Sequence, residues 1–126
     1  MSLRNPLATA RGLGSAKDGT GTFIAERLSA LALIPLTIWF LWSALGHFGG
    51  GYADTRSFLA QPMNASFAAA FVLLLYYHGA LGLQVVIEDY LHLRWLEMTT
   101  LIAVRFLFSF AALVSVLAII RITLGG

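Results

Sequence analysis

The stretch HGALGLQVVIEDY, residues 78–90, places an imidazole inside a long apolar run and closes that run with two carboxylates and a phenol. Histidine can ligate a metal through one ring nitrogen or move a proton near neutral pH. A phenol beside a carboxylate can donate a hydrogen bond to a carbonyl, with the acid fixing the hydroxyl and accepting a proton. On a helix turning about 100° per residue, Phe67, Phe71, Leu74, His78, Gly82, Val85 and Asp89 fall on one stripe. That stripe is aromatic at one end, imidazole in the middle and acidic at the other. His78 lies nine residues before Ile87, about 14 Å of helix, which is near the centre of a hydrocarbon layer roughly 30 Å thick.

Two readings of His78 are open. The first is a neutral imidazole hydrogen-bonded to a neighbouring helix. The second is an axial ligand to the iron of a flat macrocycle, with Gly79 and Gly82 removing side chains beside the histidine and one turn beyond it. His47 closes the first apolar run and His92 lies in the second connection, so both read as interfacial residues. A six-coordinate iron on His78 would then draw its second imidazole from another chain. Glu88, Asp89, Tyr90, His92 and Arg94 read equally as an interfacial anchor and as a hydrogen-bonding site.

The elements that position these residues follow from composition. Of 126 residues, 59% are hydrophobic and 11% charged, with a mean hydropathy of +0.81, whereas about a quarter of the residues of a soluble domain are charged. This is the composition of a membrane protein. With no cysteine, the chain offers no disulfide, thiolate metal site, iron–sulfur ligand or nucleophilic thiol. The net charge is +2, but the eight Lys and Arg are scattered and form no nucleic-acid surface.

Three segments, at about residues 24–46, 67–87 and 99–124, are long enough to cross a bilayer as helices. They predict an all-α membrane protein, an up-down-up bundle of three transmembrane helices spanning residues 23–126. Residues 1–22, with Arg4, Arg11 and Lys17, read as a basic cytoplasmic tail that orders on a partner. Positive-inside counting puts Arg56 outside, Arg94 inside and the C-terminal LGG outside. Asp54 is placed to cap a short helical turn before Pro62, and the short second connection makes helices two and three antiparallel neighbours. Ser29 is expected to bond back to its helix or across to a neighbour. Arg105 and Arg121, near the ends of the third span, are expected to snorkel. Arg27 can snorkel or clamp an anionic group between helices.

ERLSALALIPL opening the first helix, HGALGLQVVIEDY in the second, a basic tail and a closing third helix resemble the smaller hydrophobic membrane-anchor subunits of succinate dehydrogenase, respiratory Complex II. The most specific part is a histidine followed by glycine four residues on and by Asp-Tyr at eleven and twelve, here His78, Gly82, Asp89 and Tyr90. The resemblance implies His78 as an axial ligand of haem b beside Gly82, with the other ligand on the companion cytochrome b anchor. It implies Tyr90 as hydrogen-bond donor to ubiquinone, Asp89 in the same network, and Arg27 near the haem and quinone region. Because Tyr90 on a continuous helix would point about 120° away from the His78 stripe, the helix is expected to loosen at Asp89 and turn the phenol toward the quinone. It further implies partnership with an FAD-carrying flavoprotein subunit and with an iron–sulfur subunit holding the clusters, in the bacterial inner membrane or, alternatively, the mitochondrial one. On that reading the chain is one component of succinate:ubiquinone oxidoreductase with no catalysis of its own. A purely structural membrane subunit and a small proton-coupled transporter are the rivals. A transporter calls for inverted repeats or charges at mid-depth, where the sequence places only His78.

Overall fold

A computed structural model describes residues 16–125 as an all-helical chain. Helix α1 runs Ala16–His47, followed by a 3-10 turn at Phe48–Gly50 and the short helix α2, Tyr52–Leu59. Helix α3 covers Pro62–Tyr90 and α4 covers Arg94–Thr123. Three helices, α1, α3 and α4, are long and apolar enough to cross a membrane. At 32, 29 and 30 residues they extend about 44–48 Å.

Each helix outruns the expected span. The hydrocarbon layer is only about 30 Å of the roughly 40–45 Å between the outer faces of the headgroups, and helical hydrogen bonding continues through the headgroup layer, where polar residues are tolerated. The expected tail ends sooner for the same reason: residues 16–22 form the first turns of α1. Residues 1–15, with Arg4 and Arg11, and residue 126 lie outside the described residues.

Pro62 stands at the first position of α3, where its missing N–H removes no helical hydrogen bond. The first connection holds the short helix anticipated before Pro62, but with a different cap. Gly51, at φ 92°, is its N-cap residue and no side chain caps it, while Asp54 sits inside the first turn. The positive φ is readily reached only without a Cβ.

The helices pack in antiparallel register. From α1 to α3, Ser29 meets His78, Phe40 stacks on Phe71 at 4.8 Å and Trp39 tilts against Phe67 at 5.4 Å. From α3 to α4, Gln84 meets Arg105 and Tyr76 meets Phe108 edge-on at 5.9 Å. As numbering rises along one helix it falls along its partner, as the up-down-up topology requires. Both α1 and α4 lean on α3, and among the described residues no Cα of α1 comes within 8 Å of one of α4. At the end that holds the first connection, Trp39 and His47 stack on Phe58 of α2, Arg56 Nη2 donates to the Gly125 carbonyl at 3.3 Å and Thr123 Oγ1 to the Leu59 carbonyl at 3.3 Å. The first connection and the C-terminal end therefore share one side of the bundle.

Only Ala65, Phe71, Ile87 and Ile119 form a buried apolar core among the described residues, together with Ser29 and Ser43. Large apolar side chains cover the outside, Leu45 at 87% exposure among them. Water would drive such a surface to associate; lipid and other membrane chains are its natural surroundings. The hydroxyls are already satisfied within their own helices: Ser43, Ser66 and Ser115 each donate to the carbonyl four residues back, which matters where no water can substitute.

Candidate functional site

The α1–α3 contact brings a polar pair into the middle of the bundle. Ser29, only 3% exposed, donates its hydroxyl proton to the Glu26 carbonyl at 2.8 Å. The same oxygen lies 2.9 Å from Nδ1 of His78. Both bonds named for Ser29 as alternatives are therefore made. His78 itself is half-buried. Its Nε2 has no hydrogen-bond partner among the described residues, yet no buried polar side-chain atom there lacks one. Nε2 is consequently not sealed inside the chain but opens at the surface of the bundle.

The two glycines beside this histidine do different things. A Cβ on Gly79 would meet the Phe108 ring at 3.0 Å, so Gly79 admits α4. Around a Cβ on Gly82 nothing lies within 4 Å. Gly82, one turn beyond His78 and about 40° round the helix, is therefore the glycine that leaves room for an external group. The sequence treats the two alike; the packing of α4 separates them.

The carboxylate and phenol stand at the C-terminal end of α3. Asp89 is exposed, and Tyr90, 77% exposed, is the last helical residue. Eleven residues on from His78, Asp89 returns to the histidine's stripe, while Tyr90 points about 120° away from it. A loosening of the helix at Asp89, which would turn the phenol toward that stripe, is not found: α3 stays helical through Tyr90 and the Leu91 amide still bonds the Ile87 carbonyl at 2.9 Å. His78 and Tyr90 are thus separate places on one helix, about 18 Å apart along it.

Arg27 is not drawn toward His78. Its guanidinium covers the Phe23 ring at 4.2 Å, and two residues from Ser29 it points about 160° away from the Ser29 hydroxyl. His47 stacks on Phe58 at 4.5 Å, eighteen residues or about 27 Å along α1 from Ser29, and His92 is exposed between α3 and α4. Neither approaches His78. No cluster of three or more His, Cys, Asp or Glu residues suited to a metal exists among the described residues. Among the described residues, His78 offers a single imidazole nitrogen and no set of three such ligands gathers around it.

Sequence reasoning missed the network on the other side of α3. Arg105 Nη2 donates to Gln84 Oε1 at 3.0 Å, and Gln84 Nε2 donates to Glu88 Oε1 at 2.8 Å. A signal was available: Gln84 and Glu88 are four residues apart, on one helix face. The network borders a groove of about 820 Å³ floored by α3 between α1 and α4, with Tyr77, Ala80, Gln84, Arg105 and Phe108 in its walls. Ala80 and Gln84 point about 160° and 120° away from His78. None of His78, Gly82, Asp89 and Tyr90 lines this groove, which lies apart from them.

Three antiparallel apolar helices with one open imidazole and an acid–phenol end define a multi-pass helical membrane subunit. The chain belongs to the succinate dehydrogenase/fumarate reductase transmembrane subunit family, whose match covers residues 1–120. It is 33% identical over 112 residues to the succinate dehydrogenase hydrophobic membrane anchor subunit of Rickettsia bellii, covering 89% of each chain. Proteins of the same description from Rickettsia conorii, 28% identical with 79% of each chain covered, and Paracoccus denitrificans, 32% identical over 71% of this chain and 70% of that one, are also similar. No solved structure matches significantly.

Proposed function

We propose that this chain is the hydrophobic membrane anchor of a bacterial succinate dehydrogenase, holding one face of haem b through His78 Nε2 and forming one wall of a ubiquinone site at Tyr90 and Asp89. The observation that carries the haem assignment is the free, outward-opening Nε2 of His78, held by Ser29 and neighboured by the open space at Gly82. The residues fit one side of an iron-centred macrocycle and no more, which agrees with a second imidazole from a companion cytochrome b anchor. When bound, haem supplies one-electron redox capacity that no side chain of this chain has.

The chain's own residues position and donate. His78 presents a lone pair at mid-membrane. Tyr90, at the inner end of α3, can offer its hydroxyl to a quinone oxygen while the quinone tail stays in lipid, and Asp89 provides an adjacent proton acceptor. The exposed apolar flanks of α1 and α4 offer a packing surface to the companion anchor. The flavoprotein and iron–sulfur subunits, with FAD and clusters, sit on the inner side. Arg27, turned away from His78, has no support in this geometry for a haem contact from within the chain. A proton-coupled transporter is disfavoured because the inner-side polar network ends at Arg105 without reaching His78.

The test is His78→Ala in the purified complex. Loss of one axial nitrogen should abolish the low-spin bis-imidazole spectrum or convert it to another ligation state, while assembly survives on the distributed helix contacts. An unchanged haem spectrum removes His78 from the ligand set and leaves the purely structural reading.

A further inference from the structure

We infer that Ser29 is a positioning residue that fixes the tautomer of His78 and raises the basicity of its free nitrogen; the inference rests on His78 being the haem ligand. The physical basis is proton accounting. A carbonyl oxygen can only accept, so the 2.8 Å bond from Ser29 Oγ to the Glu26 carbonyl uses the single hydroxyl proton of Ser29. The oxygen 2.9 Å from His78 Nδ1 is then left with lone pairs alone. A short contact between them is a hydrogen bond only if Nδ1 carries the proton and donates it to Ser29. Nδ1–H in a neutral imidazole leaves Nε2 bare, and Nε2 is the nitrogen that opens outward.

With the other tautomer Ser29 would have to turn its single proton to Nδ1 and give up its bond to the Glu26 carbonyl, one hydrogen bond fewer at a position where Ser29 is 3% exposed. Glu26 therefore acts through its backbone: its carbonyl orients a serine, and the serine orients an imidazole. A ligand whose outer N–H is hydrogen-bonded is the stronger electron donor. It favours the ferric over the ferrous state, so Ser29 holds the haem potential down.

The experiment compares Ser29→Ala, Ser29→Thr and the parent complex by haem absorbance and redox titration. A net hydrogen bond corresponds to about a 2- to 12-fold change in equilibrium. At 59 mV per tenfold for one electron, the Ser29→Ala potential should rise by about 20–60 mV with bis-imidazole ligation retained. Ser29→Thr, which keeps the hydroxyl on the same helix, should restore the parent value. A parent-like potential in Ser29→Ala, or an equal rise in Ser29→Thr, overturns the inference while leaving the His78 assignment intact if His78→Ala still loses its ligation. Should Ser29→Ala fail to assemble, nitrogen-15 histidine NMR of the reduced, diamagnetic parent complex decides. A His78 Nδ1–H proton shifted downfield as a hydrogen-bonded donor supports the inference, and one at the shift of an unbonded imidazole N–H overturns it.

Discussion

Arg105 of α4 donates from Nη2 to the Gln84 side-chain oxygen of α3 at 3.0 Å, so a guanidinium in a membrane-spanning helix is tied laterally to the neighbouring span. Its side chain leans toward the N-terminus of α4. Gln84 lies only six residues, about 9 Å, from the C-terminal end of α3. The cation is thereby held near the headgroup boundary, and the amide passes the polarity on to Glu88 at 2.8 Å.

Replacing Gln84 by Leu removes both bonds and leaves the guanidinium to find other acceptors at the lipid surface. Interhelical hydrogen bonds in membranes are worth about 0.6 kcal/mol on average, with a maximum near 1.7. The complex should lose stability on that scale, read as a small fall in its thermal midpoint, with the haem spectrum unchanged. A haem spectrum altered by Gln84→Leu would contradict the separation of this network from His78.

The two glycines give an internal contrast. Gly79→Leu drives a side chain into the Phe108 ring, and overpacking of this kind costs about 1–3 kcal/mol. The expected outcome is a destabilised α3–α4 pair and poor assembly. Gly82→Leu enters open space, so the fold should persist while haem content falls, because the side chain occupies the macrocycle's room. Haem-to-protein ratio and assembly yield, measured on both variants, should respond in opposite order. Equal responses would mean that Gly82 serves helix packing as Gly79 does.

The three spans were legible because a run of about 20 apolar residues is the strongest signal a chain can carry. Their ends were not, since hydropathy reports the hydrocarbon layer and the helix ignores that boundary at Ala16 and Arg94. His78, Asp89 and Tyr90 stood out as polar types in or beside an apolar run. What Ser29 does was open until α1 and α3 were in register, for a contact across 49 residues depends on which turn faces which. The different duties of Gly79 and Gly82 likewise depend on the face α4 selects. The expected unwinding at Asp89 failed for a local reason: nothing between Ile87 and Leu91 interrupts the backbone ladder.

Topology is tested directly. The structure puts the first connection and the C-terminal end on one side, joined by Arg56 and Gly125. Arg27, in the N-terminal half of α1, and Arg94, at the start of α4, lie toward the other, and Arg4 and Arg11 precede α1 in the sequence. Positive-inside bias then assigns that second side to the cytoplasm. Periplasmic reporters fused at Gly51 and after Gly126 should both be active. Activity at only one of them breaks the three-span arrangement.

Tyr90 separates quinone chemistry from haem ligation. It stands at the end of α3, 77% exposed, about 18 Å along the helix from His78, and α3 reaches it without unwinding. A phenol so placed needs no rearrangement of α3 to meet a quinone ring entering from lipid, and its orientation away from the His78 stripe keeps the two sites distinct. Tyr90→Phe retains the ring and deletes only the donor. Loss of one such bond to a developing negative oxygen should slow succinate-driven quinone reduction roughly 5- to 100-fold. Succinate oxidation with an artificial acceptor that draws electrons from the soluble subunits should stay near the parent rate, and the haem spectrum should not change. If quinone reduction is untouched, Tyr90 is an interfacial anchor, and the quinone's hydrogen-bond donor belongs to another residue or to a partner protein of the complex.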